Sequence, residues 1–313
     1  MRAIGVTEFG GPENLQVLDL PEPHAGPGEV RIRVHAATVN PTDSGLRAGR
    51  YQDRHGDQAG PFLPGADAAG VVDEVGEGSR WSVGDRVAAV VVPYRDAGGA
   101  YADQVVVPDA SVLRLPDDID FPAGSTFVMN ALTSRLLLDK LGLQTGQTLA
   151  VTGAAGAFGG YVVQMAKADG LRVVADAKES DEELVRSLGA DVVVRRGDDV
   201  AGRSRAEVPD GVESLVDGAV QAELAVPAVK DGGVIGSVRG WSGEQERGVI
   251  VHPVLVYDSA YDRDDLMKGL EAQLADGVYT LRVAKVLPAE QAEQAHREIE
   301  AGGVRGRIVL DFS

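Results

Sequence analysis

The run Thr152-Gly153-Ala154-Ala155-Gly156-Ala157-Phe158-Gly159-Gly160 decides the fold of this chain. It stands between an apolar strand pattern at residues 148–152 and a helical pattern at 159–168 that Gly170 stops. Its glycines are spaced Gly-x-x-Gly-x-x-Gly, a variant of the Gly-x-Gly-x-x-Gly dinucleotide fingerprint. Small residues let the main chain approach a pyrophosphate closely, and free N–H groups at a helix start stabilise its negative charge. Gly153, Gly156, Ala157, Phe158 and Gly159 are therefore candidate cofactor-binding residues.

Working outward, strand and helix patterns alternate. A helical pattern over 125–140 precedes the motif, and a second strand, 171–175, follows it at the required offset. Ser180, with Glu183 three residues on, has the form of a capping box opening a helix that Gly189 closes. Strands are expected at 192–194, 214–216 and 233–237, with a short helix at 222–229 weakened by Pro227. Repeated β-α-β units imply a parallel sheet covered on both faces. The first 120 or so residues read differently. Val30, Ile32 and Val34 alternate with Arg31, Arg33 and His35, the period of a half-buried strand. Further short strands between Gly- and Pro-bearing turns suggest a small, partly closed barrel. After residue 257 come a helix (264–274), a strand (281–286), a helix (288–301) and a final strand (307–311), expected to rejoin the first region.

The chain has 313 residues, 30 basic against 48 acidic side chains, a net charge of −18 and no cysteine. The acidity argues against binding nucleic acid or an anionic membrane surface. Without cysteine there is no disulfide, thiolate chemistry, iron–sulfur cluster or Cys-ligated zinc. The start, Met1-Arg2-Ala3-Ile4-Gly5-Val6, reads as a strand rather than a signal peptide, and no apolar run approaches membrane-spanning length. A soluble cytoplasmic protein is expected.

Asp176 and Lys178 end the second strand of the alternating region. An acid there accepts the ribose hydroxyls of NAD, whereas a base accommodates the extra phosphate of NADP. The two residues point in opposite directions. Arg195 and Arg196 could also face that phosphate, which favours NADPH while leaving NADH open. The five histidines have no ligand spacing, and neither a Gly-x-Ser-x-Gly nor a P-loop motif occurs.

Several ordered segments resemble the medium-chain dehydrogenase/reductase superfamily, in its zinc-independent quinone oxidoreductase branch. They are Asn40-Pro41-Thr42-Asp43-Ser44-Gly45-Leu46-Arg47-Ala48-Gly49-Arg50-Tyr51, Leu63-Pro64-Gly65-Ala66-Asp67-Ala68-Ala69-Gly70-Val71-Val72 and Val83-Gly84-Asp85-Arg86-Val87. The glycine motif, Ala295-His296-Arg297 and Val304-Arg305-Gly306-Arg307-Ile308-Val309-Leu310 complete the set.

The resemblance implies an α/β protein with a GroES-like, partly open β-barrel domain (1–121 and 258–313) and a Rossmann domain (122–257). It also implies a cleft between them, NAD(P)H as hydride donor, and a homodimer. Zinc-dependent relatives carry Cys, His and Cys where this chain has Asn40, Ala66 and Met129, so no zinc is expected. The resemblance further places Asn40 and Tyr51 at the nicotinamide and substrate, with Tyr51 as a phenol that could stabilise oxygen charge or relay a proton. It places Thr133 by the carboxamide, and Gly218, Val238, Arg239 and Gly240 in cofactor loops. Asp43 is expected to cap a helix or bond main-chain amides. The implied activity is hydride transfer to a quinone or α,β-unsaturated carbonyl. The alternatives are an enoyl-thioester reductase and a low-turnover NADPH-binding redox sensor or structural protein.

Overall fold

A computed structural model describes residues 1–95 and 98–313. Asp96 and Ala97 lie outside the described residues. By its contacts the chain divides into two compact units, Met1–Met129 with Ser259–Ala275 and Leu281–Ser313, and Asn130–Asp258 with Asp276–Thr280.

The first unit is built on the strand Glu29–Val39. Val30, Ile32 and Val34 are almost wholly buried, as their alternation requires. Asp67–Val75 and Gln104–Pro108 both pair with this strand antiparallel. Arg86–Val90 and Val112–Arg114 extend the sheet on one side. On the other, the C-terminal strand Arg307–Asp311 pairs antiparallel through Ile308 opposite Val39, and Val283–Pro288 joins it in parallel. Gly70 admits close pairing of the two strands; a Cβ there would lie 2.0 Å from the carbonyl oxygen of Arg33.

The second unit contains a sheet whose six parallel strands run in the order Val192–Arg195, Arg172–Ala177, Thr148–Thr152, Val212–Asp217, Val229–Ser237 and Ile250–Pro253, with the two-residue strand Gly243–Glu244 added antiparallel at the last edge. Numbered along the chain, that is 3-2-1-4-5-6, the doubly wound order of dinucleotide-binding folds. The order reverses between Thr148–Thr152 and Val212–Asp217, so ligands are expected outside their carboxyl ends.

Three local expectations change. The Ser180 capping box does not form: Glu179–Asp181 is a 3-10 turn and the helix Glu182–Ser187 starts beyond it, with Asp181 at its N-cap. The helix expected from 125 begins at Val128, after a separate short helix, Phe121–Gly124, whose end amide at Ala123 donates to the Asp120 carboxylate at 2.8 Å. Pro227 is accommodated because Ala222–Ala228 is 3-10 rather than α. The polar helix Val200–Glu207 and the strand Ile250–Pro253 are among the elements with no readable pattern.

Candidate functional site

In the second unit, Thr148–Thr152 runs into Gly153, whose φ of +71° a side chain would strain. The Gly156 N–H donates to the Gly153 carbonyl at 2.9 Å, closing the turn, and the helix Ala157–Ala168 begins at once. A Cβ on Gly159 would lie 2.4 Å from the Gly153 oxygen, so glycine lets the helix start sit against the turn. Gly153 packs on the loop after Val212–Asp217; its Cβ would lie 2.9 Å from the Gly218 carbonyl carbon.

Asp217 builds that neighbouring loop. It accepts from Thr152 Oγ1 (2.7 Å) and from the N–H groups of Gln221 (3.0 Å) and Ala222 (2.9 Å). Thr152 Oγ1 in turn accepts from Ala219 N–H at 3.1 Å. The loop places Val220 and Ala222 at positive φ.

Asp176 is buried, with Oδ1 accepting from Ala154 N–H at 3.1 Å and Oδ2 without a hydrogen-bond partner. Burial pushes its carboxyl up, against the hydrogen bond from Ala154 and the charge of Arg196. Lys178 and Arg196 are exposed, while Arg195 pairs with Glu179 at 3.0 Å. Gly153, Gly156, Ala157, Phe158, Gly159, Asp176 and Gly218 therefore lie at the carboxyl ends of adjacent strands. Val238 is half-buried and Arg239 and Gly240 exposed, on a turn where Ser237 Oγ donates to the Trp241 carbonyl at 2.5 Å. Thr133 is buried on the helix Val128–Leu141.

These features fit a dinucleotide. The turn is stripped of side chains where main chain meets main chain, and Asp176 Oδ2 is a buried acceptor suited to a ribose hydroxyl.

The first unit holds a different construction around the short helix Pro41–Arg47. Asp43 Oδ2 accepts from the Asn40 N–H (2.7 Å) and Oδ1 from the Gly65 N–H (3.1 Å), so Asp43 bonds main-chain amides. Tyr101 OH reaches Asp43 Oδ2 and His296 Nε2, each at 3.3 Å. Asn40 Nδ2 donates to Asp67 Oδ2 at 2.9 Å, and Asp67 Oδ1 accepts from Met129 N–H at 2.7 Å. Asn40, Asp43, Asp67, Tyr101, His296 and Met129 are all buried. Burial pushes the Asp43 carboxyl up to about 7, opposed by its hydrogen bonds from Asn40 and Gly65. It pushes Asp67 up to about 6, opposed by the bonds from Met129 and Asn40 and by the charge of Arg307. It drives His296 down to about 3, helped by the positive charge of Arg47.

Tyr51 immediately precedes the 3-10 turn Gln52–His55 and packs over the helix; a Cβ on Gly45 would lie 2.7 Å from its ring. It meets Tyr94 edge-on at 5.9 Å, and His55 joins Tyr94 (5.2 Å) and Phe62 (4.6 Å), with Phe9 stacked on Phe62 at 4.4 Å. Tyr94, His55, Phe62 and Phe9 were not expected at the site. They are scattered along the sequence with no shared period.

Comparisons with known proteins identify the family. Residues 26–117 match the alcohol dehydrogenase GroES-like domain, and residues 188–310 the zinc-binding dehydrogenase family. Quinone oxidoreductases of Mus musculus and Sus scrofa are each 30% identical, over 99% of this chain and 97% of theirs. The chain belongs to the medium-chain dehydrogenase/reductase superfamily. Among solved members of this superfamily's fold, a mycobacterial protein complexed with NADPH is 28% identical with a TM-score of 0.86, covering 99% of both chains. An NAD-dependent alcohol dehydrogenase is 29% identical with a TM-score of 0.85, covering all of both. The protein is thus an NAD(P)-dependent medium-chain oxidoreductase related to the quinone oxidoreductases. No helix among the described residues is long and apolar enough to cross a membrane.

The second family's name raises the question of zinc. The chain has no thiol, and among the described residues no three His, Asp or Glu side chains group as a metal set. Asn40, Ala66 and Met129 offer an amide, a methyl and a thioether. These residues do not fit a zinc ion.

Proposed function

We propose that this protein reduces quinones or α,β-unsaturated carbonyls with NADPH and without a metal ion. The observation that carries this reading is the chemistry of the Asn40 ring. In its place a zinc-dependent relative would need thiolates and imidazole, whereas this chain has an amide tied to a buried carboxylate and a main-chain N–H. With no Lewis acid to polarise a carbonyl, the acceptor must already be electrophilic, as quinones and enones are.

The 153–159 turn would bind the pyrophosphate through main-chain N–H groups, and Asp176 Oδ2 would accept from a ribose hydroxyl. Lys178 and Arg196, both exposed at the ends of neighbouring strands, support NADPH over NADH. Bound there, the dinucleotide supplies the hydride. The acceptor gains a negative charge on oxygen, and the Tyr51 phenol is the group we assign to donate a proton or hydrogen bond to it. The rings of Tyr51, Tyr94, His55 and Phe62 suit a flat, conjugated acceptor. We expect the active form to be a homodimer, measurable by sedimentation.

The test is NADPH oxidation with ortho-quinones and 2-alkenals, in protein dialysed against a chelator. Turnover that survives chelation supports the reading. NADPH binding with no turnover of either acceptor class, or activity restored only by zinc, overturns it. Tyr51→Phe should lower kcat about 10- to 100-fold with little change in NADPH affinity. An unchanged rate removes Tyr51 from proton or oxyanion work.

A further inference from the structure

Asp43, Tyr101 and His296 form a chain of buried groups in the first unit, each at most 1% exposed. The Tyr101 hydroxyl stands evenly between its neighbours, 3.3 Å from Asp43 Oδ2 and 3.3 Å from His296 Nε2. Its ring rests on Gly65, where a Cβ would lie 2.6 Å from it. The Tyr101 main chain is fixed as well, its carbonyl accepting from Ile4 N–H at 2.8 Å and its N–H donating to the Pro64 carbonyl at 3.1 Å. At the far end of the chain, His296 Nδ1 has no hydrogen-bond partner. Asp43 holds two pieces of main chain, through Asn40 N–H and Gly65 N–H. The helix Pro41–Arg47 that it anchors carries Gly45, on which the Tyr51 ring lies.

A phenol has one hydrogen to give and an oxygen that accepts, so two arrangements satisfy the chain. With Asp43 ionised, Tyr101 donates to Asp43 and His296 Nε2–H donates to the Tyr101 oxygen, leaving Nδ1 a bare nitrogen. With Asp43 neutral, its O–H donates to the Tyr101 oxygen, Tyr101 donates to Nε2, and the imidazole hydrogen sits on Nδ1. One proton converts the first arrangement into the second. It enters at Nδ1, the Nε2 hydrogen passes to the Tyr101 oxygen, and the Tyr101 hydrogen passes to Asp43 Oδ2. The imidazole is neutral before and after. In both arrangements the two Asp43 oxygens still accept from Gly65 and Asn40.

Burial pushes the Asp43 carboxyl up to about 7 and His296 down to about 3, so the proton rests on the carboxyl and not on the ring. The other titratable and charged groups facing the chain are Asp67 on Asp67–Val75, Arg47 on the Asp43 helix, and Tyr94. Glu300, on the helix Ala292–Ala301 that carries His296, bonds Arg47 at 2.6 Å. The like charge of Asp67 favours a neutral Asp43, and the positive charge of Arg47 a neutral His296.

We infer that Tyr101 and His296 are positioning residues, a reversible donor relay that lets Asp43 gain or lose a proton while keeping its hold on the start of the helix under Tyr51. Its consequence for activity rests on the reading of Tyr51 as a site residue; the relay itself does not.

The direct test reads the His296 tautomer in 15N-histidine-labelled protein by long-range 1H–15N correlation, with His296→Gln assigning the signals. Between about pH 9 and about pH 5, the ring hydrogen should move from Nε2 to Nδ1 with the imidazole neutral throughout. In Tyr101→Phe it should stay on one nitrogen. A wild-type tautomer that does not change, an imidazolium formed within this range, or a change that persists in Tyr101→Phe overturns the inference.

The second test is the pH profile of kcat/KM for NADPH oxidation with phenanthrenequinone. Tyr101→Phe should lie within about threefold of wild type near pH 9, where ionised Asp43 keeps both main-chain donors. It should fall about tenfold below wild type near pH 6, where the Asp43 O–H is buried without its acceptor. His296→Leu should show the same loss near pH 6, because the Tyr101 hydrogen then has no acceptor. Variants that follow the wild-type profile at both ends overturn the positioning role. Wild type that turns over no quinone removes the proposed function, and the tautomer result alone then decides the relay.

Discussion

The glycine turn of one unit and the Asn40–Asp67 ring of the other are built by opposite means. The turn removes side chains, so that Gly153, Gly159 and Gly218 bring three stretches of main chain together directly before a helix start. The ring buries side chains instead: Asn40, Asp43, Asp67 and His296 are at most 1% exposed, and each titrating member is driven toward its neutral form. A site made of main chain tolerates no added atoms. A site made of buried titratable groups responds to pH and to exchange of donor for acceptor.

The largest way to break this comparison is steric. Gly159→Val puts a branched side chain where even a Cβ lies 2.4 Å from the Gly153 carbonyl, so NADPH affinity should fall about 100-fold. Calorimetric titration checks it, and retained affinity would mean that the turn can open without loss.

The second is electrostatic and tests the ring. His296 is neutral in the folded protein, with its ionisation lowered to about 3. Below about pH 6.5 the unfolded chain therefore binds more protons than the folded one, and stability falls as pH drops from there toward 3. Asp43 and Asp67 act oppositely, since their raised folded values make stability fall as pH rises through about 4 to 7. Urea unfolding of wild type and His296→Gln at pH 8 and pH 5 isolates the histidine. The variant should be relatively better at pH 5 than at pH 8, by about 2 kcal/mol. A pH-independent difference would show that the imidazole titrates normally.

Coenzyme choice is a smaller effect at the rim of the turn. Lys178→Ala should reduce the NADPH preference, as a ratio of kcat/KM values against NADH, by about tenfold. If the ratio does not move, the extra phosphate is met elsewhere, with Arg196 next to be changed. The smallest effect concerns the neighbouring loop. Val220 is β-branched at φ +58° and partly exposed, so Val220→Gly should stabilise the protein by about 0.5 kcal/mol. Thermal unfolding reads this directly.

The turn was legible because its requirements are local. Gly153, Gly156 and Gly159 lie within seven residues, between a strand and a helix that their own periodicity announces. The parallel sheet followed from the same alternation, whereas its strand order came from the structure. Asn40 and Tyr51 became candidates only through resemblance. Nothing in their spacing indicated that Asp67, Tyr101, Met129 and His296 would surround Asn40 and Asp43, because up to 195 residues separate the bonded pairs. The aromatic group of Phe9, His55, Phe62 and Tyr94 was hidden for the same reason. The Ser180 capping box failed because a 3-10 turn through Asp181 displaced the helix start.

By itself the sequence determined the alternation of strands and helices, the glycine turn and the lack of any thiol, since each depends on residue type or near-neighbour spacing. Tertiary structure decided which carboxylates are buried, which amide faces which acceptor and which rings touch. Desolvation and hydrogen-bond direction are properties of surroundings that only the folded chain assembles.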